Sequence, residues 1–149
     1  MNDVKTIALV NRLPELQRLW QAIEDFCAAH QLPAGICFDL RVAAEEIFTN
    51  IVKYGYSDAA EHPIAVELAL RGNCLMMKIQ DDAAAFNPLQ IDPAHTAGKK
   101  KPGGRGVRLW RGLMDDIEYR RRDNKNILII KKDLTTCNSS PTPRKASRP

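Results

Sequence analysis

The chain has 149 residues, 44% of them hydrophobic and 27% charged, enough for one domain with a real core and too few for two. Three of its four net positive charges come from Arg144, Lys145 and Arg148 in an acid-free stretch, so residues 1–134 are nearly neutral and direct nucleic-acid binding is not expected. No apolar run reaches membrane length and Met1–Val10 lacks a signal-peptide layout, which predicts a cytoplasmic protein with no membrane attachment.

Lys5–Val10 reads as a short strand, with Ile7 and Leu9 alternating. Pro14 suits a first helical turn and Glu15 the positive end of a helix dipole. Leu16, Leu19, Trp20, Ile23, Phe26 and Cys27 then form one apolar stripe, which predicts a helix over Leu13–His30. Gln31–Gly35, with Pro33 and Gly35, reads as a break. A second helix is predicted over Phe38–Tyr56, its stripe made of Leu40, Ala44, Ile47, Phe48 and Ile51. On that helix Glu46 and Asn50 stand one above the other, at the border of the stripe. A carboxylate there can take a proton from a nucleophile, and the amide oxygen beside it can ligate a hard cation such as Mg²⁺. The same pair also fits a plain solvated helix flank.

Ser57–Pro63 reads as a polar loop, and Ile64, Val66, Leu68 and Leu70 as the inward face of a half-buried strand. Arg71-Gly72-Asn73 is a hairpin turn, after which Leu75, Met77 and Ile79 alternate in the returning strand. The next residue on that apolar face is Asp81. Burying an unpaired carboxylate is costly, so Asp81 requires a dedicated partner, either a structural ion pair or a ligand.

From Asn87 to Gly106 the regular pattern stops, in a segment with Pro88, Pro93, Pro102, Lys99–Lys101 and four glycines. About twenty patternless residues inside a compact domain mark a lid, a binding loop or disorder. Val107–Asp115 is predicted as a helix, with Val107, Trp110, Leu113 and Met114 on one side. A closing hairpin runs from Ile117–Arg122 through Asp123-Asn124-Lys125 to Asn126–Lys132, and the composition of Thr135–Pro149 predicts a disordered basic tail. The four cysteines lack C-x-x-C spacing and read as reduced thiols; the three histidines are scattered. The order β-α-α-β-β-lid-α-β-β predicts an α+β two-layer sandwich, a mostly antiparallel mixed sheet covered on one face by helices.

Four features thus follow one another: E-x-x-x-N on a helix, a strand ending in Asp, a glycine-rich segment, and a helix beginning at Gly-x-Gly. Over residues 40–132 their order and spacing resemble the GHKL ATP-binding superfamily, the Bergerat or histidine-kinase-like ATPase fold. Within it the chain looks most like the small serine/threonine kinases that act as bacterial anti-sigma factors. Asp81-Asp82-Ala83-Ala84-Ala85-Phe86-Asn87-Pro88 is similar to the family's D-x-G-x-x-F-D-P box, and Gly103–Leu109 to its G-G-x-G-[IV]-x-L box.

The resemblance implies Mg²⁺·ATP as cofactor, Glu46 as general base, Asn50 as the Mg²⁺ ligand and Asp81 as acceptor for the adenine amine. It places Ala83 against the nucleotide and Gly104, Arg105, Gly106 and Val107 at the phosphates. It also implies a seryl substrate on a STAS-domain anti-sigma-factor antagonist, a sigma factor as second partner, and a homodimer. Two positions depart from the pattern. Ala83 replaces a glycine, where a Cβ is expected to strain the turn or crowd the base, so that Ala83→Gly is expected to tighten ATP binding; in the rival reading the loop has rearranged around alanine and glycine would only loosen it. Ile129 stands for a threonine expected near the base. Both departures favour the alternative reading, a non-catalytic anti-sigma or adaptor module with weak or no ATP turnover.

Overall fold

The alternating stretches become five strands in the structure, a computed structural model that describes residues 3–90 and 110–135. They are β1 (Asp3–Val10), β2 (Pro63–Arg71), β3 (Cys74–Asp81), β4 (Asp116–Arg122) and β5 (Lys125–Asp133). Their spatial order is β1-β2-β3-β5-β4, and every neighbouring pair is antiparallel. A mixed sheet was expected; among the described residues it is wholly antiparallel. Two tight hairpins reverse the chain, and the helix pair between β1 and β2 returns it in the opposite sense.

The turns are shorter than the sequence suggested, because Arg71 and Lys125 belong to the strands. Gly72 takes φ +59° in the first hairpin. Asp123 and Asn124 both have positive φ (53° and 60°) in the second, the combination that matches a two-residue turn to the twist of its strands.

The first helical stripe becomes a 3-10 turn (Leu13–Glu15) running into α1 (Leu16–Ala29). Its end is set by Gln31, in the left-handed region at φ 53°. The Leu32 and Gln31 amides donate back to the Cys27 and Ala28 carbonyls at 3.0 and 3.2 Å. The second helix, α2 (Ala34–Tyr54), starts four residues earlier than the stripe predicts and ends two earlier. Pro33, at φ −60° and ψ 145°, precedes its first turn, where a missing N–H costs nothing, so the residue read as a breaker starts the helix instead. Gly35 lies inside that first turn.

Both helices cover the sheet face that carries Leu9, Ile64, Val66, Leu68, Leu75, Met77, Ile79, Leu128 and Ile130, with Phe48 and Leu19 fully buried between the layers. Residues 110–113 are helical, and Asp115 instead donates its amide to the Lys131 carbonyl at 2.9 Å. The predicted helix therefore stops two residues short of Asp115. Lys132 accounts for the stop. Its buried ammonium donates to the Leu113 carbonyl, at the negative end of that helical turn, and pairs with Asp39 on α2 at 3.0 Å. The segments 91–109 and 136–149, which contain most of the predicted lid and the basic tail, lie outside the described residues.

Lys132 is the tie between β5 and the helical layer, so removing its counter-charge leaves a buried cation with one carbonyl partner. Asp39→Ala is expected to lower stability by about 1.5–3 kcal/mol, the scale of a hydrogen bond to a charged group. Chemical denaturation measures it, and a loss under half a kilocalorie would show that Lys132 finds water instead.

Candidate functional site

The inward face of β3 runs Leu75, Met77, Ile79 and then Asp81, and the structure keeps that parity: Asp81 is 5% exposed. Its partner is an amide. Asp81 Oδ1 accepts from Asn126 Nδ2 and from the Ala83 backbone N–H, both at 2.9 Å. Burial pushes the Asp81 carboxyl above its ordinary value, against the pull of Asn126, the Ala83 amide and, at longer range, Arg121. Among the described residues both hydrogen bonds fall on Oδ1.

Asp81 lies on a cleft of ≈ 180 Å³ between α2, the ends of β3 and β5, and the segment 83–88. Ile47 and Ile51 from α2, Ile79 from β3 and Leu128 from β5 give it apolar walls; Trp110, Tyr119 and Phe86 add aromatic ones. Asn50 lines it from α2 and Ala83 from the turn after β3. Three of the expected site residues, Asn50, Asp81 and Ala83, are thus brought together. Glu46 is half-buried one turn before Asn50 and does not line the cleft. Gly104, Arg105, Gly106 and Val107 lie outside the described residues, as do Lys99–Lys101.

Two expectations about the base end need correction. Ala83 does not have positive φ, so an L side chain meets no backbone strain there. Its buried side chain faces Gly55, the residue after α2. A Cβ on Gly55 would sit 2.8 Å from the Ala83 Cβ and 2.5 Å from the Ile51 carbonyl oxygen. The space that alanine takes at 83 is the space that glycine leaves at 55. The Ala84 amide then donates to the Gly55 carbonyl at 3.1 Å and fixes the approach. Ile129, unlike Ala83, is not at the cleft. It pairs with Lys78 on the opposite face of the sheet, while Asn126 and Leu128 point inward.

Asn126, Gly55 and Tyr119 are site residues that the sequence reading passed over. Asn126 carried a usable signal, since it is the first inward position of β5 and polar where Leu128 and Ile130 are apolar. Gly55 carried none, because its neighbour Ala83 is distant in the chain. Beyond Asp81, the exposed Asp82 accepts from Tyr56 Oη at 2.8 Å, and the His62 ring stacks on Tyr56 at 4.0 Å. Asp58, 2.9 Å from His62 Nε2, pushes the imidazole above its ordinary value.

Residues 9–132 match the histidine kinase-like ATPase domain. The chain belongs to that family. It is 33% identical over 113 residues to the serine/threonine-protein kinase BtrW of Bordetella bronchiseptica, covering 72% of this chain and 78% of that one. It is 27% identical to the serine-protein kinase RsbW of Bacillus velezensis and 25% identical to that of Bacillus subtilis, each over 100 residues. Those two matches cover 62% of this chain and 62% of each RsbW, less than two thirds of their length. ATP is the nucleotide that such a domain uses, and the cleft fits its base. A flat heteroaromatic ring needs apolar walls and one acceptor opposite its amine, which Ile47, Ile79, Leu128 and Asp81 supply. Among the described residues no helix is long and apolar enough to cross a membrane.

The Gly55–Ala83 contact removes backbone strain as a reason for Ala83→Gly to tighten nucleotide. Ala83→Gly removes a packed methyl and loosens the unfolded chain, so it is expected to lower stability by about 0.5–1 kcal/mol without tightening nucleotide. Gly55→Ala, which drives a Cβ into a backbone carbonyl, is expected to cost about 1–3 kcal/mol. Thermal unfolding of both variants checks this. A Gly55→Ala protein that melts like the parent would show that the end of α2 yields freely.

Proposed function

We propose that this protein is a Mg²⁺- and ATP-dependent protein serine/threonine kinase of the anti-sigma factor type, a cytoplasmic homodimer in a partner-switching circuit. Its substrate is a seryl residue of a STAS-domain anti-sigma-factor antagonist, and its second partner is a sigma factor. The observation that carries the reading is the meeting of Asn50, from α2, and Asp81, from the end of β3, on one cleft. It is joined by the names of the similar proteins, serine/threonine-protein kinase and serine-protein kinase.

ATP supplies the phosphoryl group and Mg²⁺ offsets its charge when both are bound. In this reading Asp81 accepts a hydrogen bond from the adenine amine, and the Asn50 side-chain oxygen ligates the metal. Gly104, Arg105, Gly106 and Val107 are the residues that would hold the phosphates. Glu46 removes the proton from the seryl oxygen. Its place off the cleft wall, one turn from Asn50, suits a base that has to meet a second protein and not the nucleotide itself. General-base assistance contributes about 10²–10⁴-fold, and positioning supplies the rest. The non-catalytic alternative drew its support from Ala83 and Ile129. Gly55 makes room for the Ala83 side chain and Ile129 lies on the opposite face of the sheet, which favours the kinase reading over that alternative.

Asn50→Ala is expected to abolish Mg²⁺·ATP binding, while Glu46→Ala keeps binding and loses phosphotransfer by about 10²–10⁴-fold. Calorimetry with ATP and a phosphorylation assay on a STAS-domain protein separate the two effects. Transfer at the parent rate by Glu46→Ala would remove the general-base assignment.

A further inference from the structure

We infer that Asn126 is the positioning residue that makes this cleft selective for a purine with an amine, and not a carbonyl, at C6. The inference rests on the nucleotide-binding reading above and deepens it. The Asn126 side chain is 6% exposed and bonded at both ends. Its Nδ2 donates to Asp81 Oδ1 at 2.9 Å, to the Ala84 carbonyl at 3.0 Å and, more weakly, to the Ala83 carbonyl at 3.4 Å. Its Oδ1 accepts from the Phe86 amide at 3.3 Å and from the Tyr119 hydroxyl.

These partners allow one orientation of the amide. Turned over, Asn126 would set its oxygen against a carboxylate and two carbonyls, and its NH₂ against the Phe86 N–H. Asp81 Oδ1 is therefore permanently occupied by donors, from Asn126 and from Ala83. Among the described contacts the oxygen left over is Oδ2, which in the ionised carboxylate is an acceptor with no proton to give. Such a group binds an amine and repels the carbonyl that guanine carries at the same ring position.

The same amide pulls the carboxyl downward, toward the ionised form. Burial and the neighbouring Asp82 push the Asp81 carboxyl up, whereas Asn126, the Ala83 amide and Arg121 oppose the rise. A protonated Asp81 would offer a donor, and the selectivity would be lost. Without the Asn126 donor the carboxyl rises further, so binding of an amine-bearing base fails at a higher pH as the solution is acidified. Asp82 and Arg121 are unchanged by such a substitution.

Titrating ADP and GDP by calorimetry into the full chain and its Asn126→Ser and Tyr119→Phe variants, from about pH 5 to 8, tests this. The parent is expected to prefer ADP. Asn126→Ser is expected to lose about tenfold in ADP affinity while GDP affinity holds or rises, with the acid limb of ADP binding moved to higher pH. Tyr119→Phe keeps the aromatic wall and removes only the hydroxyl that holds Asn126, so it moves the ratio the same way by a few-fold. It keeps the test intact should the Asn126 variant not fold. Equal losses for both nucleotides, or an unchanged ratio and acid limb in the folded variants, would overturn the positioning role and leave the nucleotide reading standing. A parent chain that binds neither nucleotide would overturn that reading, and the inference with it.

Discussion

A carboxylate buried at the end of a central strand is the constraint from which the site follows. Taking an ionised group out of water costs several kcal/mol unless donors replace the solvent. Asp81 meets that requirement with a backbone N–H two residues on and an amide across the sheet. The second donor is available because the β3–β5 register sets Asp81 directly opposite Asn126. A one-residue slip would turn Asn126 to the other face and leave the carboxylate with the Ala83 amide alone. The hydrophobic pattern of Leu128 and Ile130, which can bury only in this register, thus also secures the polar pair.

How much of this was legible follows from the range of each contact. Local periodicity sufficed for the five strands, the two long helices and the inward parity of Asp81. It also put Asn50 on the border of the α2 stripe, where it lines the cleft, but it treated Glu46 as equivalent, and Glu46 stands clear of the wall. Errors at element ends have local causes that propensity conceals. Pro33 and Gly35 read as a break although a proline before a first turn is harmless, and Gln31 adopts a left-handed backbone without being glycine. The Ala83 misjudgement is of another kind. Whether a methyl strains a turn depends on what lies opposite, and Gly55 is brought there only by the packing of α2 on the strand ends.

The helical layer is held at the site by charge as well as by apolar burial. Lys132 sits one strand away from Asp81 yet on the same inward face, so its ammonium must find oxygen inside the protein. It takes one from Asp39 on α2 and one from Leu113, the last helical residue before β4. Trp110, one turn earlier, is thereby set against the cleft that Asn50 lines from the other side. A single buried cation coordinates the helix that carries the expected metal ligand with the aromatic wall facing it.

Asp81 and Asp82 are adjacent and have opposite fates, and the contrast explains why the base end is rigid. Alternation sends Asp81 inward, where burial raises its carboxyl, and Asp82 outward. Some burial also works on Asp82, but the hydrogen bonds from Tyr56 and His62 prevail and hold its carboxyl below the ordinary range. The turn between them and Phe86 is then fastened from four directions. Asn126 grips it from β5, Arg121 donates from β4 to the Ala83 carbonyl at 2.8 Å, and the Gly55 carbonyl takes the Ala84 amide. Tyr56 and His62 secure it from the loop after α2. A turn fastened at this many points is pre-organised, which lowers the ordering cost of any ligand that binds against it. The proposed recognition through one acceptor oxygen depends on that condition. A mobile carboxylate could swing to offer either oxygen, or collect a proton, and would meet amine and carbonyl alike.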